Sequence, residues 1–491
     1  MIYPKKTQYK EDAKFFKVIP VFKEIRADFE TPLSIFLKIK AHFLLESIER
    51  GENVGRYSMI AKGKKCVIKC NGHLIEINEY NNNKNGKTKK QTFELKNPLN
   101  KVKEYFSELK SPDYEGLPLF FGGIIGYLGY ETIQYFEDVP VIEGDTGIPD
   151  SLMVIPEVVL VYDSVKRSVF IVVSTIPGKE VESTYRYAVK RIEAIAASLS
   201  TSLDYIKNRK NNKKINIEQN MEKAYFLDCV NRCKEYINEG EIIQVVFSQR
   251  FSVNTSVSPF AIYQDLRILN PSPYLFFLDF DDFYLIGSSP EVMVKVQNRE
   301  ILIKPIAGTK RRGHSISEDN QLANELLEDP KERAEHMMLV DLGRNDLGRV
   351  AAAGSVEVTE FMNIEKYSHV MHIVSTIKGE LDEPYDIFDV IRATFPAGTL
   401  TGAPKIRAME IVSELEPCKR GPYGGMVFYL GFNGNLDSCI TIRTIILKNG
   451  LALIQAGAGI VADSIPENEY NETLNKAQAL IKAIKKAECG G

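Results

Sequence analysis

The chain has 491 residues, which at about 150 per domain is length for two or three domains and for a sizeable core. Apolar residues make up 44% and charged residues 26%, a globular composition that excludes a disordered chain. Lys and Arg number 62 against 65 Asp and Glu, a net charge of −3, so no strong overall field is available to hold nucleic acid or an anionic membrane.

Seven cysteines (Cys66, Cys70, Cys229, Cys233, Cys418, Cys439 and Cys489) are spread thinly, as in a reducing cytosol, and read as small buried hydrophobes. The C-x-x-x-C pairs have no second half, so zinc is not expected. The amino terminus lacks an apolar h-region, so no signal peptide is expected. The most apolar stretch, Gly116 to Tyr130, is glycine-rich and too short for a bilayer. A cytoplasmic protein that avoids membranes and nucleic acid is therefore expected. Trp is absent altogether.

Along the first part, Val and Ile runs predict strands at Cys66–Cys70, Met153–Tyr162 and Ser168–Thr175. Residues 81–90, polar and basic, predict a hairpin tip or loop. A helix is predicted over Val181–Leu199. The basic run 207–214 then marks a break, which gives regions 1–205 and 222–487 joined by a linker at 206–221. The second part opens with a helix at Glu222–Glu239. Strands follow at Ile243–Phe251, Tyr274–Phe280, Phe283–Gly287, Val292–Gln297 and Glu300–Lys304. Late strands are predicted at Gly425–Gly431, Ser438–Lys448 and Leu451–Ala456. Turns as short as Asp281-Asp282, Asn298-Arg299 and Asn449-Gly450 demand antiparallel pairing. The fold class is α+β, with large, mainly antiparallel sheets covered by helices.

The run Gly457-Ala458-Gly459-Ile460-Val461-Ala462 matches G-x-G-x-x-A, but Asp463 to Pro466 intervene where a dinucleotide fold needs a helix, and no second parallel strand can follow. A nicotinamide or flavin site is therefore not expected. The glycines still allow backbone N–H groups to approach a ligand closely.

Asp329-Pro330 predicts a helix start, with Asp as cap and Pro at the first position. Glu332 and Glu335, three apart, then share a face, with Met338 and Leu339 toward the core. Ser464 and Glu467 predict a capping box for a last helix running through Lys486, on which Glu469 and Glu472 again share a face. Clustered carboxylates raise each other's pKa unless a cation neutralises them, and oxygen ligands with open positions suit Mg²⁺. By spacing alone, both pairs also fit solvated helix faces.

Residues from about 222 to 485 resemble the chorismate-utilising enzymes. The motifs stand in the family's order: Gly287-Ser288-Ser289-Pro290-Glu291, Pro305-Ile306-Ala307-Gly308-Thr309, Glu332 through Arg349, His369–Gly379, Ala397–Lys405, Gly421–Gly425, Ile442-Arg443-Thr444 and Ala456–Glu472. The first third resembles the family's leading region through Leu44-Leu45-Glu46-Ser47, Gly55-Arg56-Tyr57-Ser58 and Gly122–Glu131. Members that activate water or form an amine adduct carry Lys where this chain has Ala307. An alanine can do neither, so ammonia is the implied attacker. Asn270-Pro271-Ser272-Pro273-Tyr274-Leu275 resembles the feedback segment of the anthranilate synthase component I group. One departure is Lys304, where the family usually has Arg.

This resemblance implies Mg-dependent amination of chorismate at ring carbon 2, loss of the ring hydroxyl and elimination of pyruvate to give anthranilate, the first committed step of tryptophan biosynthesis. The alternative is 4-amino-4-deoxychorismate synthase of the folate pathway, some of which also lack the Lys. By motif position, Glu335 and Glu472 would hold Mg²⁺ directly, and Glu332 and Glu469 through water. Glu291 would be the acid, with His372 and Thr399 near the proton transfers. Gly308, Thr309, Tyr423, Arg443, Gly457, Ala458 and Gly459 would bind substrate. Tryptophan would bind at Leu45, Glu46, Ser47, Arg56, Asn270, Pro271, Ser272 and Tyr274 as a feedback inhibitor. No glutaminase nucleophile with a paired His is legible, so ammonia from a separate glutamine amidotransferase subunit, and hence a hetero-oligomer, is implied.

Overall fold

The computed structural model describes residues 1–49, 53–80, 88–142, 144, 146–203, 215–367 and 370–490. Two sheets dominate the described residues, one of 13 strands and one of 12. The α+β expectation, with antiparallel pairing where the site is built, is what the structure shows. No described helix is long and apolar enough to cross a membrane.

Side chains alternate across the first sheet with the period of two that a strand imposes. Phe276 and Leu278 face the second sheet, in a cluster with Tyr127, Val294 and Phe428. Leu275 and Phe277 face outward, into a cluster with Ile192, Leu266 and Leu480 of the covering helices. Each such buried side chain is worth roughly 1.5–3 kcal/mol.

Both sheets run through the sequence division. In the first, Phe43–Glu46 pairs with Tyr274–Asp279, Leu45 opposite Phe276. In the second, Gly123–Leu128 pairs with Met426–Gly431, Gly126 opposite Phe428. The two regions thus share continuous sheets. Of the expected linker, 206–214 lies outside the described residues, and Ile217–Gln219 forms an edge strand against Gln244–Asn254. Of the expected tip 81–90, residues 81–87 also lie outside them, while 88–90 are already strand. The tip joins Leu74–Tyr80 to Thr88–Glu94, which pair as a hairpin. The second seam is tight: a Cβ on Gly123, whose φ is 154°, would lie 1.9 Å from the Leu430 carbonyl oxygen. Gly123→Ala should therefore lower the unfolding free energy by about 3 kcal/mol or more, read from denaturant melts.

Two strands predicted whole are broken at corners where the chain passes between sheets, and a third corner falls where two separate strands were predicted. Met153–Tyr162 is two strands, Ser151–Ile155 and Val158–Asp163, parted at Pro156, which cannot donate to a ladder. Ser438–Lys448 is also two, Leu436–Ile440 and Thr444–Lys448, and Arg443 between them has φ 51°. Tyr284–Ser289 passes to Val292–Gln297 through Pro290-Glu291. The last two corners are tied together. Ile440 N–H donates to the Glu291 carbonyl at 3.0 Å, and Ser288 N–H to the Arg443 carbonyl at 3.1 Å. Period-two patterning cannot report such corners, because the alternation continues through them.

The segment Leu44-Leu45-Glu46-Ser47, which taken alone reads as an ordinary buried helix turn, is instead strand through Glu46. Pro330–Gly348 starts as expected, with Asp329 accepting from Lys331 and Glu332 N–H. Leu339 is buried, while Met338 is only half-buried. The capping box at the last helix, Pro466–Cys489, does not form. Ile465 is its N-cap, and Ser464 Oγ instead accepts from Val461 N–H at 3.0 Å.

Candidate active site

The two tied corners, the bulged strand Ile306–Arg311 and the starts of both glutamate-bearing helices enclose one open cleft of about 1970 Å³. Glu291, Gly308, Thr309, His372, Thr399, Tyr423, Arg443, Gly457, Gly459 and all four glutamates line it. Ala458 does not. On the strand Leu451–Ile460 its side chain takes the opposite face and is fully buried against Phe226 and Ile411.

Glu291 is 9% exposed and accepts from Thr399 Oγ1 at 2.9 Å. Burial pushes its carboxyl up to about 7, against the Thr399 hydrogen bond and the Lys476 charge. It therefore holds a proton near neutrality, as a general acid must. The Gly308 carbonyl accepts from His372 Nδ1 at 2.9 Å. A carbonyl can only accept, so Nδ1 carries the proton and Nε2 is left as an acceptor. Burial lowers the His372 pKa, as does the Arg443 charge, so the ring is neutral. Gly308, at φ 67°, sits on a bulge in the pairing of Ile306–Arg311 with Val370–Glu380.

Glu332 and Glu335 on one helix face Glu469 and Glu472 on the other. Burial raises the pKa of Glu332, with Glu335 adding repulsion. Burial and the charge of Glu472 also raise Glu335 and Glu469. The two helices, remote in sequence, thus bring their carboxylates together. Among the described residues no group of three or more His, Cys, Asp or Glu side chains is placed to hold a metal alone.

Arg443 is half-buried, and desolvation lowers its pKa from the usual arginine value. Its Nη1 donates to the Lys476 carbonyl at 3.2 Å. Tyr423 is 7% exposed, and the Gly457 backbone holds its hydroxyl; a Cβ on Gly457 would lie 2.8 Å from that oxygen. Sequence reasoning missed Gln244, Lys331 and Lys476. Lys476 donates to Glu472 Oε1 at 2.6 Å and to the Gly457 carbonyl at 3.0 Å, and it sits four residues after Glu472 on the same face. That spacing was the available signal. Lys304 makes one ion pair, with Glu365 at 2.5 Å, a contact that needs charge and not a fork. His369 lies outside the described residues.

A second, partly open cavity lies between the sheets at the first seam. Leu45, Glu46, Ser47, Arg56 and Tyr274 line it, with Met59, Phe120 and Val427. Asn270, Pro271 and Ser272 are not among its lining residues: Asn270 is turned to Ser288 and Ser272 is buried beside it. Within the cavity, Tyr274 donates to Asp437 at 2.8 Å. Glu46 is held by Tyr263 and Arg267.

The family model of chorismate binding enzymes matches residues 49–482. The fold is that of this class, and the chain belongs to the chorismate-binding enzyme family. It is 47% identical to anthranilate synthase component 1 of Acetivibrio thermocellus, over 99% of both chains. It is 46% identical to that of Aquifex aeolicus, over 96% of both. The crystal structure of anthranilate synthase component I from Streptococcus pneumoniae superposes with a TM-score of 0.77 at 38% identity, covering 87% of this chain and 92% of that one. The menaquinone-specific isochorismate synthase MenF of Escherichia coli shares the fold, with a TM-score of 0.73 at 16% identity over 98% of both chains. This chain is an enzyme of the anthranilate synthase component I type.

Proposed function

We propose that the cleft converts chorismate and ammonia to anthranilate, pyruvate and water. The observation that carries this reading is a buried Glu291, its carboxyl pushed up to about 7, in the same cleft as Arg443 and four glutamates from two helices.

Arg443 forks onto the enolpyruvyl carboxylate, with the Tyr423 hydroxyl as a second donor. Backbone groups of Gly457 and Gly459 meet the ring carboxylate. Ala307 lines the cleft with no amine or base, which leaves the attack on carbon 2 to ammonia. Glu291 gives its proton to the hydroxyl leaving from carbon 4, and Thr399 holds the carboxyl in place. His372 Nε2 then takes the proton from carbon 2 as the enolpyruvyl oxygen departs with the C–O electron pair and the ring becomes aromatic. The enolate takes a proton at its methylene carbon to become pyruvate, and the extra proton on the amine returns to the Glu291 carboxylate.

Mg²⁺ suits the donor set: oxygen ligands only, on two facing helices, with positions left for water and substrate. Glu335 and Glu472 would bind it directly, with Glu332 and Glu469 through water. When bound it neutralises these acids and draws negative charge toward the ring carboxylate.

Ammonia reaches the cleft from a separate glutamine amidotransferase subunit, and free ammonium supports turnover alone. The test is fluorescence of anthranilate formed from chorismate, Mg²⁺ and ammonium. Consumption of chorismate with a non-aromatic amino product would instead indicate 4-amino-4-deoxychorismate synthesis.

Tryptophan fits the second cavity, whose apolar walls and polar Ser47, Glu46 and Arg56 match an aromatic amino acid. Met59→Trp, which fills it, should raise the tryptophan concentration for half-inhibition at least tenfold while turnover is retained, read from inhibition curves.

A further inference from the structure

Arg420 is among the largest fully buried side chains, at 1% exposure, and the chemistry above does not use it. Its Nε and Nη2 fork onto Glu416, at 2.8 and 2.6 Å. Its Nη1 donates to the Leu400 carbonyl at 2.7 Å and its Nη2 to the Val246 carbonyl at 2.7 Å. The guanidinium lies over the ring of Tyr130 at 4.6 Å and of Tyr423 at 5.7 Å. Leu400 follows Thr399, the partner of Glu291. Val246 and Leu400 both line the cleft.

One planar cation thus binds three separate pieces of cleft wall: the strand Gln244–Asn254, the short helix Gly398–Thr401 and the turn bearing Tyr423. The turn is fixed from the other side as well. Arg420 and Gly421 N–H donate to the two oxygens of buried Glu131, at 2.7 and 2.9 Å, and Glu131 belongs to the first region of the chain. Glu416 accepts in turn from Ser248 N–H and Oγ.

We propose that Arg420 is a positioning residue for this reaction, setting Tyr423 against the substrate and Thr399 against Glu291. The proposal rests on the function proposed above. A point-charge ammonium answers Glu416 but cannot also reach two carbonyls in a fixed plane. Arg420→Lys therefore keeps the buried charge and loses the geometry.

The test compares Arg420→Lys with the unchanged chain in ammonia-dependent turnover across pH, at fixed free ammonia. The expected result is a fall of about 100-fold in kcat/KM for chorismate. The alkaline limb of kcat should also move to higher pH, because Glu291 loses the hydrogen bond that holds its pKa down. A variant with a lower melting temperature but unchanged kcat, KM and limb overturns the proposal. If Arg420→Lys does not fold, Glu131→Gln loosens the same turn and is read by the same limb. If the unchanged chain makes no anthranilate, the functional reading fails by itself. The positioning claim is then decided by whether a crystal structure of the variant shows Tyr423 and Thr399 displaced.

Discussion

Replacing Glu291 by Gln should lower kcat by about 10²–10⁴-fold with little change in KM, since the amide keeps the shape and loses the proton. The pH dependence carries the sharper information. The acid form donates, and it is populated below its pKa, which burial places at about 7. At fixed free ammonia, kcat of the unchanged enzyme should therefore fall as pH rises through about 7. The residual activity of Glu291→Gln should be flat there. A limb that survives in the variant would assign the proton to another group.

Glu335→Gln is expected to lose at least about 10³-fold in kcat/KM and to shift the Mg²⁺ titration to higher concentration. Its folding stability should not fall. Burial already disfavours the ionised form of Glu335, as does the charge of Glu472, so without cation the carboxylate is a cost to the fold. The pair of readouts separates a metal ligand from a structural glutamate: the first loses activity and keeps its melting temperature. Unchanged ammonia-dependent turnover would remove the metal argument.

The strand content was legible wherever turn chemistry was local. Asp281, Asn298 and Asn449 adopt positive φ at the hairpins where short polar turns were predicted. The helix start at Asp329 was legible for the same reason, since a cap is a contact between neighbours in sequence. The corners were not. Pro156 and Arg443 stand where a strand predicted whole leaves one sheet for the other; at Glu291 the break itself was predicted, but nothing within four residues of these corners encodes which sheet receives the strand. Local reading also failed at Ser464, whose hydroxyl serves Val461, so the helix does without its capping box. The motif order gave the site residues a common neighbourhood. It could not show that Ala458 turns its back on the cleft, that Asn270, Pro271 and Ser272 miss the seam cavity, or that Lys476 reaches in. Those are facts of pleat direction and helix phase.

The shared seams also restrict how this polypeptide can be divided. A cut near residue 210 would separate two sets of strands whose N–H and C=O groups pair with each other at both seams. Each fragment would then present raw β edges, the groups that recruit other chains into aggregates. The leading portion is thus not a detachable accessory, and a shortened descendant of this enzyme would have to invent new partners for Tyr274–Asp279 and Met426–Gly431 before it could discard the old ones.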